Sequence, residues 1–320
     1  MERQEDLTDP ASRVLPYSAI EGQEELKLAL EVTYVSPRLG GVLLSGEPGT
    51  GKSTIVRAFS LMIHGKLPVT LPINATEDRV VGGRDIAKAL QGEDVWKEGL
   101  LNDAGKDSSK ILYVDEVNLL DDHIVNILLD VTSTGVLEVQ RDGFSRPPEN
   151  LDLTLVGTMN PEEGGLRPQL LDRFALVVQV RTEVERRSAV LKQLLAFDEA
   201  QAQRERGEGS EFLKRMKAGN AERRQLLETA RQRLSVIPDA ILDKCVKLAS
   251  EVKTEGHRGE RSLALAAQAY AAIKGDEEVH SGHLRAVAAM ALRHRQKGTA
   301  ERQSAIWSDY HKGILDRVLG

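Results

Sequence analysis

A glycine-rich segment between an apolar run and a helical pattern constrains this chain more than any other feature. Residues 46–54 read Gly-Glu-Pro-Gly-Thr-Gly-Lys-Ser-Thr; the apolar run 41–45 precedes them and a helical pattern over 53–62 follows. This is the G-x-x-x-x-G-K-[ST] spacing in the strand–loop–helix setting of a phosphate-binding loop. Glycines let backbone N–H groups approach a phosphate, and the N-terminus of the helix adds positive potential there. The segment therefore predicts a nucleoside triphosphate site.

Each residue of this loop is a candidate contact for the nucleotide. Lys52 is expected to reach the β- and γ-phosphates, and the Ser53 hydroxyl is expected to ligate Mg²⁺. The full set of candidates is Gly46, Glu47, Pro48, Gly49, Thr50, Gly51, Lys52, Ser53 and Thr54.

Two further apolar runs end in polar residues that suit phosphate chemistry. Residues 110–116 contain four apolar residues followed by Asp115 and Glu116, and the run 151–157 leads to Asn160. At the carboxyl edge of a parallel sheet, Asp115 could hold Mg²⁺ and Glu116 could deprotonate an attacking water. Asn160 could hydrogen-bond the γ-phosphate or that water. The alternatives are two solvated acids at a strand end and a simple Asn-Pro turn.

The order of the patterns predicts an α/β fold with a doubly wound, parallel, five-stranded sheet. Strands are expected over 41–45, 68–73, 110–116, 151–157 and 175–180, and a hairpin is expected around Asp142-Gly143. Gly82-Gly83 indicates a break. After Val180 only helices are expected, with a turn at 256–259 and a last helix over 299–319. The predicted division is an α/β core over 1–182, a charged and solvated helical connector over 183–234, and an all-helical lid over 235–320.

Composition excludes several classes of protein. The chain has 320 residues and a net charge of −6, which argues against a general electrostatic grip on nucleic acid. Its single cysteine, Cys245, cannot form an intrachain disulfide and suits a reducing compartment. No segment reads as a signal peptide or a membrane span, so a cytoplasmic protein is expected.

Longer blocks of sequence carry a resemblance to a known family. Ile-Leu-Tyr-Val-Asp-Glu-Val-Asn-Leu-Leu at 111–120 and Leu-Leu-Asp-Arg-Phe at 170–174 are two of them. With the loop and the segments 19–25, 75–80, 160–164, 258–260, 266–272 and 292–295, they resemble the ATPase (I) subunit of magnesium chelatase, an AAA+ protein. The resemblance spans roughly residues 16–295 and implies ATP and Mg²⁺ as cofactors.

The resemblance also implies roles for residues outside the loop. Asn160 would be sensor 1, and Arg173 would be an arginine finger that reaches the neighbouring subunit's nucleotide, with Arg167 as a second such candidate. Arg258 would be sensor 2, bringing the lid onto the γ-phosphate. Segment 16–23 would lie beside the adenine, where Ile20 and Gly22 are candidates for base contact or for plain packing.

The implied protein is a ring-forming motor, expected to be a hexamer. In magnesium chelatase such a motor works through a partner with an integrin-type domain and a large subunit that inserts Mg²⁺ into protoporphyrin. A short connection over 63–68, and Met159 where glycine is common, leave open a chelatase-like paralogue. Two alternatives are a MoxR-like chaperone acting on an adhesion-domain partner and a nucleic-acid motor, which the net charge disfavours. The insertions at 76–99 and around 142–143 are expected to line the pore or meet partners.

Overall fold

The structure is a computed structural model, and it describes residues 9–93, 95–106, 109–141, 144–296 and 307–320. Among the described residues, no helix combines the length and the apolar character that a membrane crossing requires.

A five-stranded parallel sheet forms the centre of the N-terminal half, in the order β2-β5-β8-β1-β9. Its strands are β1 (Val42–Ser45), β2 (Val69–Leu71), β5 (Ile111–Val114), β8 (Thr154–Met159) and β9 (Leu176–Gln179). The predicted α/β class and strand order along the chain are confirmed. All carboxyl ends lie at one edge, which places the phosphate loop, Asp115 and Asn160 side by side.

Two strands differ from the sequence-based bounds for local reasons. Strand β2 has three residues because Pro68 and Pro72 flank it and cannot donate to the ladder. Strand β8 begins at Thr154 and not at Leu151, because the Leu151 amide donates to Gly135 O (2.8 Å) and so closes the preceding hairpin.

Alternating side chains along the strands belong to two different hydrophobic cores, one on each face of the sheet. Val42 and Leu44 of β1 belong to one core, whereas Leu43 between them belongs to the other. Helices cover both faces and lie in this order: α1 (Glu24–Val35), α2 (Lys52–His64), α3 (Glu77–Val81), α4 (Ile86–Ala89), α5 (Leu100–Lys106), α6 (Asp122–Thr134) and α7 (Pro168–Leu171). This period-two alternation on parallel strands is what a doubly wound sheet requires.

Two small antiparallel ribbons project from the core. In the first, β3 (Gly82–Arg84) pairs with β4 (Trp96–Glu98); the sequence pattern indicated only a break at 82–83. Gly82 ends α3 with φ +100° and lies so close to β4 that a Cβ would be 2.6 Å from Lys97 O. The second ribbon, β6 (Val136–Arg141) with β7 (Phe144–Asn150), confirms the predicted hairpin. Its Asp142-Gly143 turn lies outside the described residues.

After β9, the regular elements of the described chain are helices joined by turns and loops, apart from isolated single-residue bridges. They are α8 (Arg187–Glu205), α9 (Glu211–Gln232), α10 (Asp239–Glu251), α11 (Arg258–Lys274), α12 (Ser281–Leu292) and α13 (Asp309–Leu319). Helix α11 starts at Arg258, within the segment 256–259 that was predicted as a turn. The helix predicted over 299–319 falls partly outside the described residues.

The charged segment after β9 is not uniformly a solvated connector, as its composition had indicated. Leu227 and Ala230 of α9 are buried in the core shared with α1 and α11. Arg223 of the same helix pairs with Glu31, which is buried on α1. Helix α9 therefore packs against both the sheet layer and the lid helices, while the domain boundaries at 182 and 234 remain predictions.

Candidate functional site

The phosphate loop follows β1 and is fitted between the ends of β8 and β9, the two strands that flank β1. The Gly46 amide donates to Met159 O of β8 (3.0 Å), and a Cβ at this position would lie 2.2 Å from Val180 O after β9. Gly49 and Gly51 adopt φ +77° and +85°, a region that favours glycine. The open space beside both residues leaves room for an anion against the loop backbone.

Lys52 points its ammonium group back into the loop at the start of α2. Its Nζ donates to Gly46 O (2.6 Å) and Glu47 O (2.8 Å). Burial lowers the pKa of Lys52, and the nearby carboxylates of Asp115 and Glu116 oppose that shift. The loop thus places a cation beside two acids, which is the charge pattern a magnesium–phosphate group needs.

A chain of hydrogen bonds connects the loop to the acidic end of β5. Ser53 Oγ lies 2.8 Å from Tyr113 Oη, and Tyr113 Oη donates to Asp115 Oδ1 at 2.8 Å. Thr158 Oγ1 donates to the same Asp115 Oδ1 at 2.5 Å and accepts the Glu116 amide at 3.1 Å. Burial raises the pKa of Tyr113 to about 12, so its phenol is a neutral donor at physiological pH. Tyr113 and Thr158 were not singled out from the sequence.

Glu116 occupies an uncommon backbone conformation at the tip of β5. Its φ of 54° and ψ of 56° lie in the left-handed region, which costs a non-glycine residue about 1 kcal/mol or more. The hydrogen bond from its amide to Thr158 helps to hold this geometry. The turn brings the half-buried Glu116 side chain into the cleft beside the loop.

Asn160 follows the end of β8 and lines the same cleft as Lys52. Its Oδ1 accepts the Glu162 amide (3.2 Å), so its NH₂ group is what it can offer to an anion or a water. The cleft has a volume of about 340 Å³. It is lined by Pro48, Gly49, Thr50, Gly51, Lys52, Ser53, Thr54, Asp115, Glu116, Thr158, Met159 and Asn160. The structure therefore brings the loop, the two acids and the amide together as predicted.

A second cavity of about 390 Å³ continues from the other side of the loop. Thr50 and Gly51 line both cavities, so the two form one elongated site. Ile20 lines this second cavity, whereas Gly22 does not: it adopts φ +73° and packs against the Glu183 carboxylate. Apolar walls next to a phosphate loop suit a nucleobase.

Helix α8 supplies much of the apolar wall of that cavity. Val190, Leu191 and Leu194 are exposed in the structure and face the cavity. The Glu/Arg-rich composition of this segment had indicated a solvated connector. The signal that could have revealed the wall is the helical spacing of these three residues, at i, i+1 and i+4, within an otherwise polar helix.

The three arginines predicted to act on nucleotide lie outside their own chain's cleft. Arg173 Nη1 pairs with Asp130 Oδ1 (2.7 Å), and Arg167 pairs with Asp122 (2.6 Å). Arg258 Nη1 pairs with Asp172 Oδ2 at 2.8 Å, directly beside Arg173 in the chain. Arg258 is therefore held with the residues expected to act on a neighbour, and its role as sensor 2 at the γ-phosphate remains a prediction.

One cluster in the lid has the composition of a metal site, but its hydrogen bonds account for it. Among the described residues, Asp276, His280 and His283 bring three potential ligand atoms together. His280 Nδ1 accepts the Gly282 amide, and His283 Nδ1 accepts the His280 amide. The neutral rings then carry their protons on Nε2, and His283 Nε2 lies 2.9 Å from Asp276 Oδ2. The cluster thus caps α12.

The chain resembles proteins of one family over most of its length. The family description "AAA domain (dynein-related subfamily)" matches residues 41–174, and "AAA lid domain" matches residues 242–309. The magnesium-chelatase 38 kDa subunit of Acidiphilium rubrum is 41% identical over 324 residues, covering 88% of this chain and 90% of that protein. The subunit of the same name from Cereibacter sphaeroides is 41% identical over 318 residues, covering 88% of this chain and 91% of that protein.

A solved structure agrees at the level of the fold. The crystal structure of a putative ATPase from Cytophaga hutchinsonii has a TM-score of 0.64 and 16% identity, covering 98% of this chain and 92% of the other. Sequence similarity, sheet order and the contents of the cleft lead to one conclusion: the chain belongs to the magnesium-chelatase 38 kDa subunit family of AAA+ ATPases.

Proposed function

We propose that this chain is the ATP-driven motor subunit of a magnesium chelatase complex. The observation that carries the proposal is the cleft in which Lys52, Ser53, Asp115, Glu116 and Asn160 converge from three strand ends. The proposed task of the motor, to drive a magnesium chelatase, comes from the names of two relatives that are 41% identical to this chain.

The residues of the site fit ATP and Mg²⁺. The open backbone at Gly49 and Gly51 suits phosphate, and the second cavity suits adenine. Ser53 and Asp115 offer the oxygen ligands that Mg²⁺ prefers, and the bound ion would supply positive charge against the phosphates.

The steps of ATP hydrolysis are divided among Glu116, Asn160 and Lys52. The Glu116 carboxylate takes the proton of the attacking water, and the Asn160 amide orients that water. Lys52 stabilises the negative charge of the β- and γ-phosphates. In this division Glu116 and Asn160 serve the chemical step, and the loop residues Gly46–Thr54 serve mainly binding.

We further propose that the protein works as a ring, expected to be hexameric, in which each site is completed by the next subunit. Arg173, Arg167 and Arg258 lie outside their own cleft, and each is held by a carboxylate of its own chain. A guanidinium beside a neighbour's triphosphate would exchange that carboxylate for phosphate oxygens of higher charge. Arg173 is the principal candidate for this role.

Mixing two inactive variants tests the shared site. Glu116→Gln removes the base from a subunit's own site, and Arg173→Ala removes the finger that the subunit offers to its neighbour. Each variant alone should bind ATP and lose hydrolysis. A mixture should regain activity where the two variants are neighbours. The Arg173→Ala subunit keeps its own Glu116, and the Glu116→Gln subunit beside it supplies Arg173. A mixture that assembles and stays inactive would contradict a role for Arg173 across the interface.

To drive magnesium insertion, the motor needs two partner subunits that the family implies. They are an AAA+/integrin-domain subunit and a large chelatase subunit. Protoporphyrin and Mg²⁺ are the substrates of that complex; no membrane partner is expected, and the net charge of −6 disfavours nucleic acid. A single buried cysteine, Cys245, is consistent with the cytoplasm as the location. ATP-dependent formation of Mg-protoporphyrin in the presence of both partners would support the chelatase function. Intact ATPase activity without Mg²⁺ insertion would mean that the motor acts on a different partner.

A further inference from the structure

We propose that Tyr113 is a positioning residue that sets the affinity of this site for Mg²⁺. Its phenol orients the Ser53 hydroxyl and the Asp115 carboxylate, which are the two oxygen groups placed to hold the ion. The inference rests on the proposed ATPase function and assigns a task to a residue that sequence patterns treat as part of the apolar strand.

The placement of Tyr113 is unusual for a core residue because its polar end reaches the site. The residue is 1% exposed, and it belongs to the same hydrophobic core as Val42 and Leu44 of β1. An aliphatic side chain would fill this core without a polar atom. The Tyr113 hydroxyl lies instead between α2 and the end of β5, within 2.8 Å of both Ser53 Oγ and Asp115 Oδ1.

The number of available protons fixes the direction of each hydrogen bond between Ser53, Tyr113 and Asp115. An ionised carboxylate only accepts, so the single phenol proton of Tyr113 goes to Asp115. The phenol oxygen can then only accept from Ser53, whose single proton is spent there. Both lone pairs of Ser53 Oγ are left for other partners, and a lone pair is what a metal ion requires of a hydroxyl ligand.

Tyr113 and Thr158 fix the orientation of Asp115 in the same way. Both hydroxyl groups donate to Asp115 Oδ1, at 2.8 and 2.5 Å. Oδ1 is thereby occupied, and Oδ2 is left for the ion or for a water bound to it. Without the phenol, Ser53 could turn its proton to a backbone carbonyl, and Asp115 would lose one of its two fixed contacts.

The test is a Mg²⁺ titration of nucleotide binding by the full-length protein, with a fluorescent ADP as the probe and no turnover. Tyr113→Phe removes one oxygen and keeps the ring in the core. We expect the Mg²⁺ concentration at half-maximal effect to rise about tenfold, as for the loss of one hydrogen bond to a charged group. Affinity measured in EDTA should stay as in the wild type.

Tyr17→Phe is a matched control. Tyr17 is 4% exposed, lies in the same core, and its hydroxyl donates to the Glu31 carboxylate at 3.1 Å. The substitution also removes a buried phenol oxygen from a carboxylate, but Tyr17 does not contact Ser53 or Asp115. We expect its Mg²⁺ midpoint to equal that of the wild type, even where its thermal stability falls.

The outcomes separate the inference from the function on which it rests. A shifted midpoint in Tyr113→Phe alone supports the inference. An unshifted midpoint in Tyr113→Phe, or equal shifts in both variants, overturns it while leaving the ATPase site intact. Nucleotide binding by the wild type that ignores Mg²⁺ would overturn the proposed magnesium–nucleotide site itself, and this inference with it.

Discussion

Gly46 illustrates at the scale of one residue how closely the phosphate loop is fitted to the sheet. A Cβ at this position would lie 2.2 Å from Val180 O, so Gly46→Ala must displace either the loop or the end of β9. We expect a loss of about 1–3 kcal/mol in unfolding free energy, typical of overpacking, together with at least tenfold weaker ATP binding.

Gly209→Ala is the control for this substitution, because nothing lies within 4 Å of its Cβ position. Equilibrium denaturation and ATP titration of both variants provide the comparison. Wild-type ATP affinity in Gly46→Ala would show that the loop can relax around the methyl group.

The hydroxyl of Thr158, like that of Tyr113, connects two functional groups. It donates to Asp115 and accepts the amide of Glu116, whose backbone is left-handed. Thr158→Val keeps the volume and removes both contacts, so we expect kcat to fall about 10–100-fold, the range for a misplaced general base.

Thr158→Ser retains the hydroxyl and should recover most of the lost kcat. Steady-state kinetics with ATP give the comparison between the two variants. Equal activity in Thr158→Val and Thr158→Ser would mean that the hydroxyl does not position Glu116.

At the scale of elements, Arg295 joins the end of α12 to the sheet layer. Its guanidinium is 1% exposed and donates to Asp172 Oδ1, to the carbonyls of Asp172, Phe174 and Ala175, and to Ala291 O. Burial lowers the pKa of Arg295 to about 10, although Asp172 opposes the shift. Because Arg258 also pairs with Asp172, this one carboxylate receives two arginines from the lid helices.

Arg295→Met should therefore loosen the contact between lid and core. We expect a loss of about 3–5 kcal/mol in unfolding free energy, since the substitution removes one of the two arginines from Asp172 and takes a donor from several buried carbonyls. Arg285→Met, which breaks the more exposed pair with Asp316, should cost about 1 kcal/mol or less. Similar losses for the two variants, measured by denaturant unfolding, would contradict the view of Arg295 as a junction.

The elements also show how far the sequence predicts this fold and where it cannot. Strands such as β1 and β5 were predictable because a parallel strand buried on both faces is a continuous apolar run. Strands β3 and β4 were not, because Gly-Gly-Arg and Trp-Lys-Glu form no apolar run and pair across a separation in the chain. The pairing of Arg258 was not predictable either, because its partner Asp172 lies 86 residues away in the chain.

At the scale of the whole molecule, burial of histidines links stability to pH. Burial is the main cause that lowers the pKa of His64 to about 4, aided by Lys110 and Arg231, and burial also holds the pKa of His294 well below its usual value. The unfolded chain binds these protons near pH 6.5. Below that pH the unfolded state therefore holds more protons, and stability is lost as the pH falls towards 4.

His64→Phe tests this link with little change in packing, because the ring of His64 already packs edge-on against Tyr34 with centroids 5.9 Å apart. Denaturant unfolding at pH 7 and pH 5 should show a smaller loss of stability in His64→Phe than in the wild type, since one group that resists protonation has been removed. Met62→Leu, which changes a buried side chain of the same helix without removing a titratable group, should retain the wild-type difference. An unchanged pH dependence in His64→Phe would mean that the folded protein accommodates the charged imidazole, and that the acid sensitivity arises elsewhere in the molecule.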